Sequence, residues 1–229
     1  MPALTHKKQQ QIYNLPYQLL VSLKANIGRK IFRFKQWEMD HTTDYLFNNM
    51  NGGKILDLGC STGYFTRYLS EQFGAERVEG ADISLSSIMR NNELFDPIKF
   101  HHIHNGFYKE HGQQYSAITL MHVLEHVENP VPFLKNIITL LEKDGILVIC
   151  VPQERVRGDA AVFENMYNLI RGNFQNVHLR RYNYDSLAAD LEKAGLSTLE
   201  HNYCNMIYQN SNRKCFSNHS LTFYTKAIR

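Results

Sequence analysis

The stretch KILDLGCSTGYFTRYLSEQFGAERVEGAD, residues 54–82, decides the fold. It opens with Ile55-Leu56-Asp57-Leu58, a short apolar run of the kind that forms a buried strand. The small-residue turn Gly59-Cys60-Ser61-Thr62-Gly63 follows. Tyr64, Phe65, Tyr68, Leu69 and Phe73 then recur at helical spacing, with Arg67, Glu71 and Gln72 between them, and Gly74 is placed to close the helix. A second strand is predicted from Arg77 to Ala81, ending on Asp82. Strand, tight turn, helix, strand and terminal acid make the nucleotide half of a doubly wound α/β sheet.

The details of the turn choose the nucleotide. A dinucleotide site carries G-x-G-x-x-G and holds a pyrophosphate on its helix N-terminus. Here Asp57 precedes Gly59-x-x-x-Gly63, and an acid at the strand end repels a pyrophosphate. It suits a ligand bearing an ammonium and a sulfonium, which S-adenosylmethionine (SAM) does. Gly59 and Gly63 allow close backbone approach. Asp82, 19 residues past Gly63, stands where an acid accepts hydrogen bonds from both ribose hydroxyls.

LDLGCSTG and EGADIS resemble the first and second motifs of the class I SAM-dependent methyltransferases. Ser61 stands where the usual family form has a third glycine. The resemblance is good over about residues 53–152. It implies a Rossmann-like seven-stranded, mostly parallel sheet with an antiparallel final hairpin. It also implies a cofactor set of Asp57, Gly59, Cys60, Ser61, Gly63, Asp82, Ile83, Asn105 and Met121, with Asn105 offered to the adenine edge.

Composition fits a globular enzyme. The 229 residues suffice for one full core plus an accessory piece, and a net charge of +3 gives no general attraction to nucleic acid. Local basic groups remain in Arg29, Lys30, Arg33 and Lys35, and in Arg180-Arg181. The four cysteines, Cys60, Cys150, Cys204 and Cys215, form no C-x-x-C pair and read as reduced thiols of a cytoplasmic protein. Neither a transmembrane run nor a signal peptide is expected.

Residues 1–50 are expected to form an N-terminal helical cap and residues 51–229 the methyltransferase domain. In the cap, Ile12, Leu15, Leu19, Leu20 and Leu23 form a helical apolar face that Pro16 interrupts, and a second segment runs from Ile31 to Met50. This cap either closes the sheet or serves as a lid over the cleft. Ser84 is expected to cap a helix to about Asn91, with strands over Ile98–Ile103 and Tyr115–Met121. A helix over 130–142, a strand over 146–151, a polar irregular insertion over 153–180 with Arg155, Arg157, Arg171 and His178, a helix over 184–195 and strands near 199–206 and 220–227 complete the expectation.

The fourth strand runs into His122-Val-Leu-Glu125-His126, three titratable groups at the strand end where ligands of such sheets sit. HVLEHVENPVPFLKNIITLLEKDGILVICVP resembles a subgroup that includes the ubiquinone-pathway O-methyltransferases. With distal His178, the cluster is similar to the Glu-x-x-Glu-His metal site of some small-RNA 2′-O-methyltransferases. His122 replaces the first Glu, which shifts preference from Mg²⁺ toward a softer ion such as Zn²⁺. Three readings stand: His122 or His126 as a general base, His122, Glu125, His126 and His178 as ligands of a divalent metal, or Glu125 and His126 as loop-shaping groups. His101, His102 and His104 read as packing and surface residues, and His6, His41, His111, His201 and His219 show no telling spacing.

The activity expected is methyl transfer from SAM to an oxygen, less readily a nitrogen, of a small-molecule acceptor. The alternatives are an RNA or protein methyltransferase using the basic groups, and a SAM-binding module without catalysis.

Overall fold

The computed structural model describes residues 15–156, 162–170, 177–206 and 213–228, without the side chains of several residues inside α1 and α7. In chain order the elements are α1 (Leu15–Phe32), α2 (Phe34–Asn49), β1 (Ile55–Leu58), α3 (Tyr64–Phe73), β2 (Val78–Asp82), α4 (Leu85–Leu94) and β3 (Lys99–His102). There follow α5 (Phe107–Glu110), β4 (Tyr115–Met121), a 3₁₀ turn (Leu124–His126), α6 (Pro130–Ile138) and β5 (Leu141–Pro152). The chain closes with α7 (Val162–Ile170), α8 (Tyr184–Ala194), β6 (Leu196–Asn205) and β7 (Asn218–Ala227).

The seven strands lie in one sheet in the order β3-β2-β1-β4-β5-β7-β6. The first five in that order pair in parallel, and β7 runs antiparallel to both neighbours. Strand order reverses between β1 and β4, so the carboxyl ends of those two strands open the ligand crevice.

Alternate side chains of each buried strand face opposite layers. Leu56, Leu58, Ile118, Leu120, Leu147 and Ile149 pack with Leu134 and Ile137 of α6 and Leu187 and Leu191 of α8. Ile55, Ala117, Ile146 and Val148 pack with Leu46 of α2 and Leu69 of α3. Ahead of the sheet, the described residues of the N-terminal region are helical, in α1 and α2. Pro16 lies in the first turn of α1, where proline is tolerated, and Arg33 at φ 56° separates α1 from α2.

Several boundaries differ from the sequence expectation. The helix after Pro130 ends at Ile138, and Leu141 already pairs with Tyr115. Leu140 and Leu141 suit a helix or a strand by polarity; the Tyr115 N–H bound to the Leu140 carbonyl at 2.8 Å decides for the sheet. A register shift between Tyr115 and Ala117 and left-handed Asp144 (φ 66°) absorb the extra residues. β6 and β7 begin at Leu196 and Asn218, ahead of the predicted starts. α4 has its Ser84 cap, with Ser87 N–H donating to the hydroxyl, and continues to Leu94. The expected irregular insertion contains α7; Arg157 and Arg171 lie outside the described residues, as do His6 and Ile12.

Candidate active site

β1 delivers Asp57 to the crevice, 2% exposed. Its oxygens accept the Thr66 hydroxyl of α3 at 2.7 Å and the Thr119 hydroxyl of β4 at 3.0 Å. Burial pushes its carboxyl up to about 6, against the two threonines that favour the ionised form. The turn beyond is left-handed at Gly59 (φ 84°), Ser61 (φ 51°) and Gly63 (φ 74°). A Cβ on Gly59 would stand 2.4 Å from Val123 Cγ2, so only glycine fits. Ser61 holds the position of the third family glycine in a conformation that disfavours side chains. Its N–H donates to Asp82 Oδ2 at 2.9 Å and its carbonyl accepts Asn91 Nδ2 at 2.9 Å, which fix the turn.

Asp82 ends β2, buried, its carboxyl raised by burial and drawn down by the N–H groups of Ser84 and Ser61. Cys60 is buried and its thiol is raised well above the usual range by burial and by Asp82 and Asp57. Ile83 packs at the edge of the core, its carbonyl 3.2 Å from His102 Nε2. Met121 closes β4 half-buried, whereas Asn105 is exposed after β3. Of the predicted cofactor residues, Asp57, Gly59, Cys60, Ser61, Gly63 and Asp82 therefore gather around one turn, and Asn105 stands at the surface.

The histidine cluster divides in two. His122 takes φ 57°, and only Leu124–His126 turn as a 3₁₀ helix, so His122 and His126 do not share a helical face. His122 faces α2 and β5. Its Nε2 lies 2.8 Å from Lys35 Nζ, 3.3 Å from both Glu38 oxygens and 3.8 Å from Cys150 Sγ. Glu38, 3% exposed, also meets Lys35 at 3.0 Å and His219 Nε2 at 3.5 Å. Burial opposes ionisation of Glu38, but Lys35, His122 and His219 outweigh it and hold the carboxyl well below the usual range. Burial and Lys35 push the His122 imidazole down; Glu38 and Cys150 push it up, and the net direction is up.

Glu125 and His126 face the other way, toward the segment that carries His178. Glu125 is 1% exposed, and neither carboxylate oxygen has a hydrogen-bond partner among the described residues. Its Oε1 lies 3.7 Å from His122 Nδ1 and 3.9 Å from His126 Nε2. His126 Nδ1 donates to the Val177 carbonyl at 2.8 Å, which places its lone pair on Nε2. His178 Nδ1 donates to the buried Glu154 carboxylate at 2.5 Å, with the same consequence for its tautomer. One ligand atom from each of Glu125, His126 and His178 falls within 4.8 Å of the others. A carboxylate and two imidazoles, each imidazole oriented by a carbonyl or carboxylate on its other nitrogen, is a donor set that fits a divalent cation. Burial opposes the Glu125 charge, yet the His122, His126 and His178 imidazoles hold its carboxyl down to about 2. The Leu179 and Arg180 N–H groups bind the Glu125 carbonyl at 2.9 and 3.1 Å and pin the His178 segment to the 3₁₀ turn.

Sequence reasoning missed Lys35, Glu38, Cys150, Glu154 and His219 as site residues because their contacts with His122, Glu38 and His178 join distant parts of the chain; the Lys35–Glu38 pair, three residues apart, is the one local signal. Of the basic groups, Arg33 is exposed, and three are engaged. Arg180 donates to the carbonyls of Val127 and Glu128, Arg181 to that of Arg155, and Lys35 pairs with Glu38. The Arg29 and Lys30 side chains lie outside the described residues. His101 and His111 belong to a separate network around buried Glu79 with Lys54 and Tyr115.

An open sheet of this order, with a glycine turn at its switch point and an acid closing β2, defines a class I SAM-dependent methyltransferase. Residues 31–201 match the family described as a methyltransferase domain, well over half of the chain, and the protein belongs to that family. It is 29% identical over 114 residues to the mitochondrial ubiquinone biosynthesis O-methyltransferase of Dictyostelium discoideum, covering 44% of this chain and 35% of the relative. Against the ubiquinone biosynthesis O-methyltransferase of Ruegeria sp. (strain TM1040) it is 25% identical over 171 residues, covering 72% and 67%. The chain spans about two fifths of the length of several other such relatives. A SAM-dependent methyltransferase from Clostridium acetobutylicum ATCC 824 shares the fold, with a TM-score of 0.64 at 16% identity over 91% of this chain and 99% of the other. Among the described residues no helix is long and apolar enough to cross a membrane.

Proposed function

We propose that this protein transfers the SAM methyl group to a hydroxyl of a small, ring-containing acceptor, and that Glu125, His126 and His178 hold a divalent cation beside that hydroxyl. The buried Glu125 carboxylate, without a hydrogen-bond partner among the described residues and flanked by two oriented imidazoles, carries the reading. A bound cation would lower the acceptor hydroxyl's pKa and orient its oxygen; two imidazoles and one carboxylate favour Zn²⁺ or a similar borderline ion over Mg²⁺. His122, set between Glu125 and Glu38, serves as the positioning group between the two halves of the cluster. The O-methyltransferases among the relatives support oxygen as the nucleophile, and the engagement of Arg180, Arg181 and Lys35 supports a small acceptor over RNA.

On the cofactor side, Asp82 takes the ribose hydroxyls. Gly59, Cys60, Ser61 and Gly63 line the amino-acid portion and Asp57 supplies the negative potential, with Ile83 and Met121 beside the cofactor and Asn105 reaching the adenine. Residues 51–229 carry the chemistry and the helices of residues 15–49 cover it, in the cytoplasm. Transfer needs the acceptor oxygen, methyl carbon and sulfur in line, so holding the two ligands is much of the catalysis. Calorimetric titration with S-adenosylhomocysteine tests the cofactor side. Wild type should bind in the micromolar range and Asp82→Ala at least tenfold more weakly. Equal affinities would remove Asp82 from the cofactor site.

A further inference from the structure

The Asp82 carboxylate is already well supplied with donors. Its Oδ1 accepts the Ser84 N–H at 2.8 Å and the Gln18 side-chain amide at 3.1 Å, and its Oδ2 accepts the Ser61 N–H at 2.9 Å. A carboxylate offers about four acceptor positions, two on each oxygen. Three are therefore filled, and both on Oδ1 are taken. A vicinal diol bound in bidentate fashion needs one position on each oxygen, so one donor on Oδ1 has to leave. Ser84 N–H belongs to the backbone at the start of α4 and is fixed there, its residue capping the helix. Gln18 is a side chain on a different element, with rotatable bonds between its amide and the backbone of α1.

Gln18 is held in place deliberately. It is 4% exposed, and its carbonyl accepts the Ser87 hydroxyl of α4. Next to it, Tyr17 is 6% exposed and packs with Val177, Val21 and Tyr167, which seats α1 against the segment that carries His178. α1 thus presents the Gln18 amide to the one Asp82 oxygen whose acceptor positions are both in use.

We infer that Gln18 is an affinity-setting residue of the cofactor site: its amide competes with the ribose diol for Asp82 Oδ1 and swings off that oxygen when a nucleoside binds. The inference rests on the assignment of Asp82 to the ribose. The exchange trades an amide donor for a hydroxyl donor on the same oxygen, so each binding event gives up the net worth of one hydrogen bond. Removing the competitor should therefore strengthen binding of a ribose-bearing ligand by about three- to tenfold.

The test is calorimetric titration of wild type, Gln18→Ala and Gln18→Met with S-adenosylhomocysteine and with its 2′,3′-dideoxy analogue, each variant first shown to melt cooperatively. The methionine variant keeps the stem that packs α1 and lacks the amide. Both variants should bind S-adenosylhomocysteine more tightly than wild type and leave the dideoxy affinity unchanged. Unchanged or weaker S-adenosylhomocysteine binding in both variants overturns the inference, as does equal tightening for the two ligands. An Asp82→Ala control separates the two levels. If that change leaves affinity for S-adenosylhomocysteine intact, the ribose assignment itself fails; if it weakens binding while the Gln18 variants stay at wild-type affinity, only the competition fails.

Discussion

Asp57 shows how one residue type is chosen for chemistry against the interest of stability. Folded, its carboxyl is pushed up to about 6 from an ordinary 3.8, so the folded state binds more protons between those values. Asp57's own contribution to stability should therefore fall as pH rises from about 4 to about 6 and then level off, by at most about 3 kcal/mol, against the opposite contributions of Glu38 and Glu125. Thermal melts of wild type and Asp57→Asn across that range check this: the stability of the wild type relative to the variant should fall as pH rises from about 4 to about 6, and a difference that does not change with pH would mean the strain lies elsewhere. Gly59 gives a second case. Gly59→Ala sets a Cβ 2.4 Å from Val123 Cγ2 at a left-handed position and should destabilise the protein by about 2–3 kcal/mol. Val123→Ala in the same chain should restore the clash part and leave about 1 kcal/mol of backbone strain; chemical denaturation of the four proteins of the cycle measures both. At this scale the sequence was informative where chemistry demands one residue type. The glycines, Asp82 and Glu125 could be singled out from spacing alone. The partners Glu38 and His219 could not, because contact across the sheet end leaves no local pattern.

The elements were legible where periodicity is unambiguous. α3 runs from Tyr64 to Phe73 and β4 from Tyr115 to Met121, as their apolar patterns dictate. The α6–β5 junction was not, since Leu140-Leu141 satisfies either period and hydrogen bonding to Tyr115 chooses. The His122–His126 segment likewise has the i, i+4 spacing of a helix, but His122 bends left-handed because its N–H is bound to the Cys150 carbonyl at 2.9 Å, extending the β4–β5 ladder by one residue. α2 is joined to the strand ends by Glu38, whose carboxylate is buried among Lys35, His122 and His219. Glu38→Ala leaves the half-buried Lys35 cation and two imidazoles without their buried counter-charge and should cost about 3 kcal/mol. For a chain of this size that lowers the melting temperature by about 6–12 °C. A drop under 2 °C would show that α2 is held by its apolar contacts alone.

Across the whole molecule, the strand order brings the cofactor turn at the end of β1, the acid at the end of β2 and the Glu125–His126–His178 set beyond β4 to the carboxyl end of the parallel strands of one sheet. The fold class and cofactor were readable because motif and order are short-range. The acceptor half was only partly so: the notional four-ligand cluster separates into a Lys35–Glu38–His122 group and a Glu125–His126–His178 group, a division set by tertiary contacts. The most direct measurement is transfer of labelled methyl from SAM to a panel of small ring-containing hydroxyl compounds by protein stripped of metal and then reloaded with Zn²⁺, Mn²⁺ or Mg²⁺. The predicted result is turnover that stripping abolishes, that Zn²⁺ or Mn²⁺ restores better than Mg²⁺, and that Glu125→Gln removes while affinity for S-adenosylhomocysteine stays within about threefold of wild type. Equal turnover with and without metal, or no transfer to any hydroxyl acceptor while SAM binds, would contradict the account.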